Sequence, residues 1–307
     1  MRVLVTGASG FIGHHLSAEL QRRGHTPVAF DHLARVGEET FLGDVRDSTA
    51  VTEAFAHVDA FVHLAAVLGT QETIANPRPS AETNVFGTLN VLEAAAQYDV
   101  PGIYICVGNW WMRNTYSITK TCGEHFVEMF NRERGTRVNN VRCVNAYGPG
   151  QRAALPFAPG RVRKIVPALV CRALSGMPIE VYGDGEQVSD MLYVEDLARV
   201  LVKALELAAA GVVHPHAIEA GPVVHNTVND VARLVSQLAI AHTGGKVEIV
   251  YLPMRPGEIE GDTVTAKVDT LYSAGIDPGG FVPLESGMAE TVEWFHQNKG
   301  VTWNPPA

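Results

Sequence analysis

Apolar runs and amphipathic stretches alternate along the first half of the chain. Residues 2–6 (Arg-Val-Leu-Val-Thr) form a short apolar run, glycines follow, and a helical pattern continues to Arg23. Further runs of strand character lie at 27–31, 38–45, 59–64, 102–107 and 137–144. Two long helical patterns sit between the later ones: 80–98, with Leu89, Leu92 and Ala96 on one side, and 117–134. Strands that are apolar throughout are strands buried on both faces. Their interleaving with helices predicts an α/β fold with a doubly wound parallel sheet. After Gly148 the texture changes, and residues 148–167, rich in Pro, Gly and Arg, read as a connecting loop. Shorter strands are expected near 179–182, 216–219 and 247–251, and helices near 194–207 and 228–241. The organisation expected is a first domain over 1–147, completed by parts of 190–220, and a smaller C-terminal α/β domain over 148–307. No internal repeat breaks this pattern.

Composition narrows the function. A chain of 307 residues, 46% hydrophobic and 19% charged, is ordinary for a globular protein and long enough for two cores. A formal net charge of -9 argues against a nucleic-acid partner, which requires a basic face. One basic cluster stands out, Arg161, Arg163 and Lys164. It reads either as a solvated helix start or as counter-charge for a phosphorylated small molecule. The four cysteines form no CxxC pair, so no metal site or redox motif is expected, and reduced thiols fit the cytoplasm. The chain enters a strand at once without a leader pattern, and no apolar run of about 18 residues marks a membrane span.

Residues 6–13 read Thr-Gly-Ala-Ser-Gly-Phe-Ile-Gly, between a strand and a helix. Gly7 permits the tight turn, Gly10 lets backbone approach a pyrophosphate, and Gly13 allows close helix–strand packing. The helix start, at Phe11 and Ile12, offers unpaired N–H groups to the anion. This is a Rossmann-type dinucleotide site. Asp31 ends the second strand 18 residues after Gly13. A carboxylate there accepts from ribose hydroxyls and repels a 2′-phosphate, which favours NAD over NADP; Arg35 is the one nearby residue that pulls the other way.

Tyr116 and Lys120 are one turn apart at the start of the helix after the fifth strand. The ammonium and an oxidised nicotinamide would both favour the phenolate, so the tyrosine pKa is expected to fall. Such a tyrosine can take a proton from a hydroxyl whose carbon loses hydride.

Together these residues resemble the extended short-chain dehydrogenase/reductase family, in its NAD-dependent nucleotide-sugar epimerase/dehydratase branch. The resemblance runs over nearly the whole chain. It rests on Gly7–Gly13, Gly43–Asp47, His63–Ala66, Asn84–Glu93, Tyr116–Lys120, Asn145–Pro149, Tyr182–Gly185, Tyr193–Asp196 and Arg255–Glu258. It implies that Asp44, Val45, Leu64, Ala65 and Ala66 join the glycine loop and Asp31 in lining NAD. It implies that Asn84 lies near the nicotinamide end, that Asn145 and Arg255 meet the nucleotide diphosphate, and that Val181 and Tyr182 lie near the base. It also implies homodimers paired through the helices near 80–98 and 117–134.

Two departures from the family pattern bear on the chemistry. The Ser or Thr expected just after the fifth strand falls on Gly108, with Asn109, Cys106 or Thr115 as alternatives for its role, and Trp110 and Trp111 follow where a longer substrate loop is usual. The arginine expected at Ser189 is missing, with Arg152, Arg161, Arg163 or Lys164 as replacement charge. No carboxylate stands between Cys106 and Tyr116, where the 4,6-dehydratases of the family carry an Asp-Glu pair. The reading expected is an NAD-dependent nucleotide-sugar epimerase, acting at C4, with Tyr116 as acid/base assisted by Lys120 and Asn109. The alternatives are a nucleotide-sugar dehydratase and a non-catalytic NAD sensor.

Overall fold

The computed structural model describes residues 1–33 and 39–306. The first half runs β1 (Arg2–Thr6), α1 (Phe11–Arg22), β2 (Thr26–Asp31), β3 (Glu39–Leu42), α2 (Ser48–Phe55) and β4 (Ala60–His63). It continues through α3 (Arg78–Ala81), a π-helical turn (Glu82–Phe86), α4 (Gly87–Tyr98), β5 (Gly102–Val107), α5 (Thr115–Arg134) and β6 (Val138–Cys143). The second half holds β7 (Asn145–Tyr147), α6 (Ile165–Leu174), β8 (Ile179–Tyr182), β9 (Val188–Ser189), β10 (Met191–Tyr193) and α7 (Val194–Ala209). Last come β11 (Ile218–Ala220), α8 (Val228–Thr243), β12 (Ile249–Leu252), β13 (Thr263–Val264), α9 (Asp269–Ser273) and α10 (Leu284–Gln297).

Seven strands form one sheet in the order β11-β6-β5-β4-β1-β2-β3, and every pairing in it is parallel. This is the doubly wound Rossmann arrangement. β1 and β4 are neighbours in the sheet, yet β1 leads outward to β2 and β4 leads the other way to β5. The chain therefore diverges at their carboxyl ends and leaves a crevice there.

The two-residue period of each strand decides which side chain meets which helix layer. Val3, Val5, Ala29, Val62, Ile103 and Ile105 pack with Leu16, Leu20, Leu197, Leu201 and Leu205 of α1 and α7. Leu4, Val28, Phe30, Phe61 and Tyr104 pack with Phe55, Leu92, Val127 and Phe130 of α2, α4 and α5. A separate core joins β8 to α6, α8 and α10 through Val181, Leu169, Val170, Val231, Val235 and Phe295. Each fully buried side chain of this size contributes about 1.5–3 kcal/mol relative to exposure. Helix ends are secured locally: Asp47 caps α2, Asn114 caps α5, and Thr227 with Asp230 forms a capping box on α8.

Four expectations change. The helix over 80–98 begins as α3, loosens into the π-helical turn, and regains α geometry at Gly87. The strand over 38–45 is the four residues of β3 within the described chain. The strand over 137–144 ends at Cys143, and β7 turns away to pair with β10. The loop over 148–167 gives way to α6 at Ile165, where Pro167 is tolerated because a first-turn amide has no helical acceptor. Among the described residues no helix is long and apolar enough to cross a membrane.

One buried polar residue fastens the outer layer to the sheet. Asn139 of β6 donates to the carbonyls of Ala204 and Val212 and accepts from the amide of His214. Asn139→Leu keeps the volume and orphans three backbone groups, so a loss of about 2–4 kcal/mol is expected, read as a lowered midpoint of thermal unfolding with unchanged helix content.

Candidate active site

The crevice at the carboxyl ends of β1 and β4 is made by backbone packed on backbone. Gly7 has φ +73°, and a Cβ on it would lie 2.9 Å from the amide nitrogen of Ala65. A Cβ on Gly13 would lie 2.6 Å from the carbonyls of Ala8 and Gly7. Gly10 meets only the Gly7 carbonyl, at 3.1 Å, so its outer side is open to a ligand that must touch backbone. Phe11 and Ile12 present first-turn amides with no acceptor inside α1, at the positive end of the helix dipole.

Asp31 fixes this loop from β2. Its Oδ2 accepts from the Ser9 amide at 2.9 Å and its Oδ1 from the Leu33 amide at 3.2 Å. Arg35 lies outside the described residues. Asp44 is held by Arg46, whose guanidinium keeps the carboxyl below its ordinary range against some desolvation. Val45 is buried against Gly87, and its carbonyl accepts from Asn90.

The opposite wall hangs on Thr6 and His63, two residues of the quoted motifs whose bonding to each other the sequence did not reveal. Thr6 Oγ1 accepts from the amides of Leu64 and Ala65, at 3.2 Å each. His63 sits between Thr6 and Thr88, at 2.6 and 3.1 Å, and burial drives its pKa down to about 3, so the ring is neutral. Past Ala66, the backbone of Val67 is clasped by Asn84, which accepts from its amide at 2.8 Å and donates to its carbonyl at 3.0 Å. Asn84 also donates to Thr119 of α5. At 1% exposed, with its amide so committed, Asn84 positions this wall; it is not free to meet a substrate. The π-helical turn that carries it had no signal in the hydrophobic pattern.

Tyr116 and Lys120 share the inner face of α5, and the Tyr104 hydroxyl donates to the Lys120 carbonyl at 2.9 Å. Lys120 is 1% exposed, and its ammonium rests 4.0 Å from the centroid of the Tyr104 ring. Burial lowers it to about 8, against the opposing pull of Cys106 and Glu124. No carboxylate among the described residues lies within ion-pair distance of it. Tyr116 departs from expectation: burial, helped by the neighbouring thiols of Cys143 and Cys106, pushes its phenol up. The chain's own groups therefore do not lower it, because a desolvated phenolate is costly and the groups that face it add to that cost.

Gly108 has no room for the missing hydroxyl side chain. A Cβ there would lie 2.7 Å from the Cys143 carbonyl and 3.2 Å from the Val144 Cα. Asn109 is tied down, donating to Met112 Sδ at 3.0 Å and accepting from Ser117 at 3.2 Å. It holds the turn onto α5. Cys106 is buried behind the strand end, whereas Thr115, the first residue of α5, is partly exposed.

On the far side of the crevice, Tyr182 at the end of β8 lies between two guanidinium groups, Arg163 at 5.2 Å and Arg255 at 5.1 Å. Arg163 also donates to the Tyr182 hydroxyl at 2.8 Å and pairs with Glu180 at 2.7 Å. Its amide donates to Glu72, and Arg255 pairs with Glu258. Lys164 joins the cluster, lowered by burial and sustained by Glu72. Arg152 and Arg161 are exposed at the surface. Val181 is a correction: alternation along β8 turns it into the core, 1% exposed, while Tyr182 faces the cations. Asn145 donates to Ser189 at 2.8 Å, which occupies it where an arginine was expected. Trp111 Nε1 donates to the carboxylate of Asp262 at 3.0 Å, bringing the turn after β5 to the loop beyond Arg255. Trp110 stays 48% exposed.

A family model for the NAD dependent epimerase/dehydratase family matches residues 3–221. The chain belongs to that family. It is similar to a dTDP-glucose 4,6-dehydratase of Salmonella typhimurium, 27% identical over 97% of this chain and 93% of that protein. Among solved structures it is similar to a UDP-glucose 4-epimerase of Thermus thermophilus in complex with NAD, at TM-score 0.82 and 27% identity, covering 96% of this chain and 99% of that one. It is also similar to a UDP-glucose 4-epimerase of Thermotoga maritima with UDP-glucose, at TM-score 0.84 and 27% identity, covering 97% and 99%. The cofactor is NAD. The open backbone at Gly10, the carboxylate of Asp31 and the carboxylate-free ammonium of Lys120 suit its pyrophosphate, adenosine ribose and nicotinamide ribose in turn.

Gly108→Ser tests the crowding at the end of β5. The added atom must displace the Cys143 carbonyl, so a stability loss of about 1–3 kcal/mol and no gain in turnover are expected from unfolding and rate measurements on the same preparation.

Proposed function

We propose that the protein is a nucleotide-sugar 4-epimerase. The observation that carries the reaction type is the turn from Gly108 to Asn114. It has no carboxylate of its own, and Asn109 and Trp111 fasten it to α5 and to Asp262. Proton transfer at the sugar is then left to Tyr116, without the second acid that loss of water would use.

In this reading the backbone of Gly10, Phe11 and Ile12 would hold the NAD pyrophosphate, and Asp31 the adenosine ribose. NAD supplies a reversible hydride acceptor. The phenol oxygen of Tyr116 takes the proton of the reacting hydroxyl and later returns it. The transfer needs that phenol to lose a proton which burial makes it hold, so it occurs only in company with a positive charge on its ligand side. Lys120 keeps its ammonium against the ribose. Arg163, Lys164 and Arg255 meet the diphosphate, and Tyr182 the base. Their present partners, Glu180, Glu72 and Glu258, keep the three cations in place while exposing charge to the crevice.

The second reading is dehydration. It is favoured by Asp262, a carboxylate brought beside the same turn by Trp111. Product analysis separates the two. Proton NMR of UDP-, dTDP- and GDP-sugars incubated in deuterated water is expected to give a new C4 isomer free of solvent deuterium. A keto-deoxy sugar, or deuterium on carbon, would replace this reading by dehydration. Tyr116→Phe is expected to cost at least ~10²-fold in turnover while NAD stays bound; full turnover in that variant sinks both catalytic readings.

Pairing of two copies through α4 and α5 is part of the proposal. Phe86, at 61%, and Ile118, at 57%, leave large apolar surface exposed near this face. Sedimentation of Ile118→Glu is expected to give a monomer where the parent chain gives a dimer.

A further inference from the structure

Behind Lys120, away from the crevice, lies a row of buried charges that the reaction above does not use. Glu124 follows Lys120 by one turn on the same face of α5. Its Oε1 accepts from Arg142 Nη2 of β6 at 2.5 Å, and Nη1 of the same guanidinium donates to Glu219 of β11 at 2.8 Å. All three side chains are largely buried. Glu219 is fixed in turn, because its Oε2 accepts from the Lys267 amide. One guanidinium between two carboxylates leaves one negative charge over. Glu124 Oε2 is buried, and the Cys106 thiol is the weak donor that faces this carboxyl. Lys120, the cation on the other side, has no carboxylate within ion-pair distance.

We infer that Glu124 is a positioning residue for Lys120. The clamp on Arg142 and Glu219 holds it as the surplus negative charge that keeps the neighbouring ammonium charged in a dry site. The inference rests on the reading of Tyr116 and Lys120 as the reacting pair. The groups around the two partners suit this role. Facing Lys120 are the Tyr104 ring and the Cys106 thiol of β5, and His63 of β4, which is neutral. Burial raises the Glu124 carboxyl, and Glu128 on its own helix adds to that, while Arg142, the Cys106 thiol and His125 work the other way and favour its charge. Burial and the charge of Glu124 push the Cys106 thiol up. Arg142 is shared with Glu219, whereas Lys120 has no carboxylate within ion-pair distance among the described residues. Burial lowers Lys120, and Cys106 and Glu124 raise it, so removing the Glu124 carboxylate lowers the midpoint and empties the ammonium at a more acidic pH.

The test is a pH titration of the NAD-bound protein carrying ¹³C at the lysine ε-carbons, with the Lys120 signal assigned by Lys120→Arg among the six lysines. In Glu124→Gln the Lys120 midpoint is expected to fall by ~0.5 unit or more, and in Glu124→Asp to stay near the parent value. Glu219→Gln leaves Arg142 to consume the charge of Glu124, so it too is expected to lower the midpoint, and it serves where Glu124→Gln does not fold. A Lys120 midpoint unmoved in folded Glu124→Gln or Glu219→Gln overturns the inference, whatever the stability of the variants. The titration needs no sugar, so a protein that turns over no nucleotide sugar but shows the shift refutes the reaction and keeps the charge row. With turnover present, the alkaline limb of the rate profile is expected to move down by the same amount.

Discussion

Everything in the crevice depends on the contact between the ends of β1 and β4. Gly7 runs so close to Ala65 that no side chain fits between them, and the Thr6 hydroxyl binds the amides of Leu64 and Ala65 at the same point. These bonds fix the glycine loop on one side and the His63–Ala66 segment on the other as a single rigid edge. Asp31 ties the loop to β2 through Ser9, and Asn84 ties the far segment to α5 through Thr119. α5, Asp31 and the glycine turn are therefore referenced to one junction of backbone. Preorganised placement of this kind allows a site to act without loop rearrangement at the moment of reaction.

Charge in this chain is arranged as pairs held back from the ligand. The cations around Tyr182 are each paired or sustained by a glutamate, and the ammonium of Lys120 leans on an aromatic face. Buried charges are costly unless paired, so the glutamates are what allow three cations to sit together. A diphosphate entering such a cluster meets positive charge already assembled.

The end of β5 lacks the hydroxyl side chain that the resemblance implied, and the cause is steric. β6 passes so near Gly108 that its Cys143 carbonyl fills the space a side chain would need. The turn that follows is instead built from amide, thioether and indole contacts, with Asn109 on Met112 and Ser117 and Trp111 on Asp262. These contacts make the turn a strut between the sheet and the loop beyond Arg255, in place of a polar arm reaching to the substrate. The Tyr116 phenol is left in thiol-lined, desolvated surroundings that hold its proton more firmly.

The sequence by itself determined the sheet, the glycine turn, Asp31 and the Tyr116–Lys120 pair. Each of these is local: a run of apolar residues, three glycines at fixed spacing, two residues one helical turn apart. Periodicity also placed α1, α4, α5, α7 and α8, but it did not mark α2, α6, α9 or α10, nor the π-helical turn around Asn84, which keeps helical spacing while changing what the backbone bonds to. Only the tertiary structure decided how residues distant in the chain share one environment. It joined Thr6 to His63 and Thr88, brought Arg163 and Arg255 onto Tyr182, turned Val181 inward, and set Glu124, Arg142 and Glu219 behind Lys120. Burial is a property of the packed molecule, and it reversed the expected direction for Tyr116. The nearest neighbour in sequence, Ser117, says nothing of the thiols of Cys106 and Cys143 that fold back against the phenol.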